Sequence, residues 1–100
     1  MIYQISVPAV ADVEEIRVLE WHGDLGHRFN KGDLIVELET HKAIVEVRAG
    51  QPGVLRKILS KSGNWQGIGL PLALLSDDQD EVLPDGDRAA TDLPVDFEIT

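Results

Sequence analysis

The sequence predicts an all-β fold, and three of its features do so. Apolar and polar residues alternate with period two in several short runs. Glycines punctuate the joints between the runs. No segment of helical length shows a 3.6-residue period with capping signals. Short strands with frequent glycine point to a small barrel or sandwich, and 100 residues fit one small domain.

The expected strands follow in order. Ile2 to Val7 alternates and stops at Pro8. Val13 to Trp21 offers Val13, Ile16, Val18, Leu19 and Trp21 as apolar positions. Leu34 to Thr40 sends Leu34, Val36 and Leu38 one way and Ile35, Glu37 and Glu39 the other. Ala43 to Ala49 returns with Val45 and Val47 inward and Glu46 and Arg48 outward. Val54 to Leu59 and Leu70 to Leu75 complete the set, with Gly23, Gly26, Gly32, Gly50, Gly53, Gly63, Gly67 and Gly69 at the joints. A shift of 37 residues lays Gly26 on Gly63 and Gly32 on Gly69. It also lays Val18 on Leu55, Trp21 on Ile58, Ile35 on Leu72 and Leu38 on Leu75. This repeat suggests two similar half-sheets packed face to face.

Charge divides the chain. Residues 1–76 hold 9 acids and 8 bases, whereas 77–100 hold 9 acids and Arg88 alone. The expectation is a folded domain over 1–76 and an acidic, disordered tail or linker over 77–100, because dense like charge cannot offset the entropy of ordering. Within that tail Val95, Phe97 and Ile99 alternate as a short strand would, which suits a docking peptide.

Composition excludes several functions. The chain has no cysteine, so it has no disulfide scaffold, Cys-zinc site, iron–sulfur cluster or thiol nucleophile. A net charge of −9 argues against nucleic acid. No apolar run approaches the roughly 20 residues of a membrane span. Met1-Ile2-Tyr3-Gln4 lacks the layout of a signal peptide, so the expectation is a soluble cytoplasmic protein; the isolated domain is expected to be monomeric. His22, His27 and His41 have no clear carboxylate partners, and no metal site is expected. Gly63-Asn64-Trp65-Gln66-Gly67-Ile68-Gly69 lacks the Lys-Ser/Thr of a P-loop and reads as a turn. Glu37, Glu39 and Glu46 read as a solvated face.

The most informative stretch is the hairpin from Gly32 to Val47. Setting Leu38 opposite Val45 and Val36 opposite Val47 places a two-residue loop at His41-Lys42. Such loops normally require residues tolerant of φ > 0, and neither is one. The same register opposes Glu37 and Glu46, an unfavourable like-charge pair. Local rules that fail in an otherwise consistent element mark candidate functional sites. Lys42 at that tip could be a plain solvated turn residue or an amine that another enzyme acylates. A Schiff-base role would need burial, and nothing in the sequence buries it.

Glu39-Thr40-His41-Lys42-Ala43, with Gly32-Asp33 ten residues before the lysine and Gly53 eleven after it, resembles the lipoyl domain of 2-oxo acid dehydrogenase complexes. Trp21, Gly26 and Val7-Pro8 also stand at family spacing, and the resemblance covers about residues 3–76. It implies a flattened barrel of two four-stranded antiparallel sheets related by a pseudo-two-fold. It further implies lipoic acid joined as an amide to Lys42 by a lipoate–protein ligase. The implied partners are a thiamine-diphosphate 2-oxo acid decarboxylase, the acyltransferase core and a flavin-dependent dihydrolipoyl dehydrogenase. The domain itself would catalyse nothing and would act as a tethered acyl carrier at high effective concentration. By the same resemblance Glu39 helps the ligase choose its target, Thr40, His41 and Ala43 flank the attachment point, and Gly32 and Gly53 set sheet geometry near the tip.

Departures from the family pattern are His41 for the usual Asp, His27 after Gly26, and Gln66 at a usually apolar place, where Trp65 is expected to supply the packing. Biotinyl domains share the fold, but their lysine usually lies between methionines, and the one methionine here is Met1. A barrel used for protein–protein contact without modification is the alternative from a different class.

Overall fold

The computed structural model describes residues 1–82 and 91–99. Ten strands run through them: β1 (Ile2–Ser6), β2 (Glu15–Trp21), β3 (Arg28–Phe29), β4 (Leu34–Glu39), β5 (Ile44–Ala49), β6 (Gly53–Ile58), β7 (Trp65–Gly67), β8 (Pro71–Ser76), β9 (Thr91–Asp92) and β10 (Val95–Ile99). They form two five-stranded sheets, ordered β3-β6-β8-β1-β9 and β10-β5-β4-β2-β7. All pairs are antiparallel except β1–β9. The fold is the all-β sandwich that the sequence predicts. Among the described residues no helix is long and apolar enough to cross a membrane.

The repeat at 37 residues is physical. Among the described residues four glycines have positive φ, Gly26 (+92°), Gly63 (+93°), Gly32 (+91°) and Gly69 (+82°), a conformation in which a Cβ is strained. Gly26 N–H donates to Leu55 O and Gly63 N–H donates to Val18 O, both at 2.7 Å. The two bonds exchange residues 37 apart, so each half closes its turn on the other. Val18, Leu55, Ile35, Leu72, Leu38 and Leu75 are all buried in the common core.

Each sheet draws strands from both halves, so the halves interleave and neither forms a sheet by itself. At Gly26 and Gly63 the chain crosses from one sheet to the other. The short strands β3 and β7 that follow are too brief to show alternation.

Two side chains lie otherwise than the sequence suggests. Ile35 is fully buried and does not share a face with Glu37 and Glu39. A register shift between Leu34 and Val36 inserts a bulge that turns it inward. Trp65 does not supply packing in place of Gln66, since it is 52% exposed. The shift of 37 explains this: Gln66 corresponds to the buried Phe29, and Trp65 to the exposed Arg28.

Residues 91–99, expected as part of an acidic tail, form β9 and β10 on the edges of the two sheets. Leu93 between them is 3% exposed and joins the core. Asp92 accepts hydrogen bonds from Gln4 Nε2 (3.0 Å) and Ser6 Oγ (3.1 Å). Gly50 N–H donates to Pro94 O at 2.8 Å, and a Cβ on Gly50 would stand 2.6 Å from that oxygen. Burial of Leu93 and backbone pairing thus order a segment whose charge suggests disorder. Residues 83–90 and 100 of the expected tail lie outside the described residues.

Candidate functional site

The β4–β5 hairpin has the register that its alternation implies: Val36 opposite Val47, Glu37 opposite Glu46, Leu38 opposite Val45 and Glu39 opposite Ile44. Thr40 N–H donates to Ala43 O at 2.8 Å, which leaves His41 and Lys42 as the two-residue tip. Among the described residues Asp12 alone combines a side chain with positive φ, so neither tip residue adopts the mirror-image turn.

Thr40 resolves the difficulty. Its Oγ1 accepts the N–H groups of Lys42 and Ala43, both at 3.0 Å, and lies 3.3 Å from Ala43 O, to which it donates. The hydroxyl thereby replaces the carbonyl partner that a glycine-containing turn would use. The rest of the Thr40 side chain is buried, at 6% exposure. Thr40 is therefore the clasp of the turn. His41 and Lys42 project from it exposed, and Ala43 is half-buried.

Lys42 makes no ion pair among the described residues. Its ammonium stands free on a rigid support, which suits covalent attachment of a carboxylic acid as an amide. Glu39 lies opposite Arg17 of β2, with Arg17 Nη1 3.7 Å from Glu39 Oε1. Both are well exposed, so the pair adds little stability. Gly32 and Gly53 lie away from the tip. Gly32 turns the chain into the far end of the hairpin, where its N–H donates to Ala49 O at 2.7 Å. Gly53 begins β6 in the other sheet, where a Cβ would meet Leu75 Cδ2 at 3.3 Å.

Two groupings escape the sequence reading. The first extends the Glu37–Glu46 pair, which the hairpin register already gives, into a cross-strand row of glutamates, with Glu20 opposite Glu37 and Glu46 opposite Glu98. His22 lies against this row, with Nε2 2.6 Å from Glu37 Oε1 and 4.0 Å from Glu20 Oε2. His22 thus has the carboxylate partners that the sequence did not reveal, and these three residues have ligand atoms close enough for one cation. The second is a recess of about 400 Å³ beside the tip, lined by Asp12, Val13, Glu14, Glu15, His41 and Trp65. Its loop turns at Asp12, whose φ of +64° an aspartate tolerates, and is closed by Val13 N–H donating to Val10 O at 3.2 Å. The one sequence signal for the recess is Trp65, which the repeat aligns with a surface position.

Comparison with known proteins gives a consistent picture. The family model Biotin_lipoyl, described as "Biotin-requiring enzyme", matches residues 3–75. The chain is 35% identical over 75 residues to the dihydrolipoyllysine-residue succinyltransferase component of the 2-oxoglutarate dehydrogenase complex of Staphylococcus saprophyticus, covering 74% of this chain and 18% of that protein. It is 34% identical over 79 residues to the mitochondrial pyruvate dehydrogenase complex protein X component of Saccharomyces cerevisiae, covering 77% and 19%. It is also 34% identical over 94 residues to the pyruvate dehydrogenase E1 component subunit beta of Rhizobium meliloti, covering 91% and 20%. The chain thus spans about a fifth of the length of these relatives.

Proposed function

The chain belongs to the biotin/lipoyl attachment family, a family of carrier domains, and from that premise we propose that it is a lipoyl domain of a 2-oxo acid dehydrogenase system, lipoylated on Lys42. The observation that carries this reading is the tip itself: an exposed amine without an ion pair, held on a turn clasped by Thr40. Relatives named as components of 2-oxoglutarate and pyruvate dehydrogenase complexes favour lipoate over biotin. So does the setting of Lys42 between His41 and Ala43, where biotinyl domains usually have methionines.

When attached, the dithiolane supplies acyl transfer as a thioester and two-electron redox chemistry. The chain's own residues do the rest. Thr40 fixes the backbone from which Lys42 projects. Glu39, His41 and Ala43 border it as the surface a ligase reads. The rigid barrel keeps the arm's root in one place, so that the arm samples its partners at high effective concentration. The partners under this reading are a lipoate–protein ligase, a thiamine-diphosphate decarboxylase, an acyltransferase core and a dihydrolipoyl dehydrogenase, and the compartment is the cytoplasm.

The test is incubation with lipoate–protein ligase, ATP and lipoate, with biotin ligase and biotin in parallel. Intact mass and a tryptic map read the result. A lipoyl adduct confined to Lys42 is the expected outcome. An adduct from the biotin ligase alone, or from neither, would overturn the reading.

A further inference from the structure

Trp65 has no structural explanation. It is 52% exposed, its partner position in the repeat is a surface arginine, and the core closes without it. An indole left open to water forfeits a large burial gain. The ring is nevertheless placed beside the tip. β7 sets Trp65 opposite Arg17, and β4 sets Arg17 opposite Glu39, so Trp65 lies in the cross-strand row that borders the hairpin end. The recess it lines is shared with Val13 and His41, and His41 is the chain neighbour of Lys42.

We propose that the recess formed by Asp12, Val13, Glu14, Glu15, His41 and Trp65 is a resting site for the neutral dithiolane end of the arm on Lys42, with the Trp65 ring as its contact. The inference rests on the lipoyl reading of Lys42. Three arguments select this occupant. The first is reach: adjacent Cα atoms are about 3.8 Å apart, and the lysine methylenes, the amide and the fatty chain of lipoate together span several times that distance. The second is chemistry, because divalent sulfur packs favourably on aromatic rings and Val13 continues the apolar lining. The third is charge. Asp12, Glu14 and Glu15 rim the recess, so it accepts a neutral amide-linked arm and disfavours the free lipoate anion. The tether then selects the chain's own arm over any ligand in solution.

A sulfur–ring contact of ordinary strength multiplies the docked-to-free ratio by about 2 to 12, enough to set the lipoyl arm apart from a sulfur-free one and weak enough to release it. The test uses ¹⁵N-labelled protein in apo form, lipoylated form and the sulfur-free octanoyl form. Intact mass confirms each adduct, and Trp65→Phe assigns the indole N–H peaks. In the lipoylated form the Trp65 indole peak is expected to shift, with nuclear Overhauser contacts from its ring to the dithiolane protons, while the Trp21 peak stays in place. Octanoyl protein should shift less, and millimolar lipoamide added in trans to apo protein should move the same peak where lipoate does not. A mass-confirmed lipoyl adduct with the Trp65 peak at its apo position would overturn the resting site and leave the carrier reading intact. Failure to form the adduct at Lys42 would overturn both.

Discussion

Replacing Thr40 with valine removes the hydroxyl and keeps the shape of the side chain. In the native hairpin that oxygen accepts two backbone N–H groups at 3.0 Å, from Lys42 and Ala43. Each such bond contributes a net of about 0.5–1.5 kcal/mol. Lys42 is exposed, so its N–H recovers a water partner; Ala43 is half-buried and recovers less. The expected loss is therefore about 1–2 kcal/mol, or about 4–16 °C in Tm for a domain of this size. The assay is thermal unfolding followed by circular dichroism, together with amide hydrogen exchange at Lys42 and Ala43. Exchange at these two amides should rise more than at Val45 or Val47, since the clasp acts locally. Thr40→Ser should restore most of both signals. If Thr40→Val melts within about 2 °C of the parent and the tip amides exchange as before, the clasp does not hold the turn.

Lys42→Ala is expected to leave the circular dichroism spectrum and melting point unchanged, because the side chain is exposed and without an ion pair, while lipoate uptake read by intact mass disappears. Gly26→Ala and Gly63→Ala should each cost about 1–2 kcal/mol for an L-residue at positive φ. Nothing stands within 4 Å of either added Cβ, so the two chemical-denaturation losses should agree, and a large difference would break the two-fold account. Gly50→Ala drives a Cβ against Pro94 O and should release β10, read as fast amide exchange over 95–99 with slow exchange retained in β4. Retention of β10 protection in that variant would mean that the edge strand does not depend on the close approach.

Much of this was legible in the sequence. The alternation of Leu38, Val45 and Val47 determined the hairpin register, and the glycine spacing of 37 picked out the four glycines at matching turns, whose positive φ the geometry then revealed. Both signals are local and periodic, so one chain suffices to read them. What stayed hidden depends on partners distant in sequence. Ile35 turns inward because of a bulge, which no period-two reading contains. The row Glu20–Glu37–Glu46–Glu98 exists only once four strands are aligned. The ordering of 91–99 turns on Leu93, a single apolar residue in an acidic stretch whose burial needs the open edge of the core. At the site, Lys42 and its neighbours were visible as a turn with unsuitable residues. The remedy, the Thr40 hydroxyl, required the geometry.

The pseudo-two-fold also shows where chemistry can reside. It carries β4 and β5 onto β8 and β1, so the pair Glu39–Ile44 at the lysine hairpin corresponds to the pair Ser76–Ile2. In one copy the strands are joined by Thr40 to Ala43; in the other, β8 runs on into residues 77–82 and makes no such turn. The barrel therefore builds one frame twice and closes it with a reactive tip once. The second departure from the repeat is Trp65 against Arg28, and it falls beside that same tip. The third is the direction and length of β10: its counterpart β9 pairs parallel with β1 over two residues, whereas β10 runs antiparallel to β5 over five and sets Ile99 opposite Val45, so Phe97 and Ile99 lie exposed on the hairpin's flank. Scaffold positions obey the repeat because both halves must fill one core. Positions that break it are released from that demand, and here they gather around Lys42.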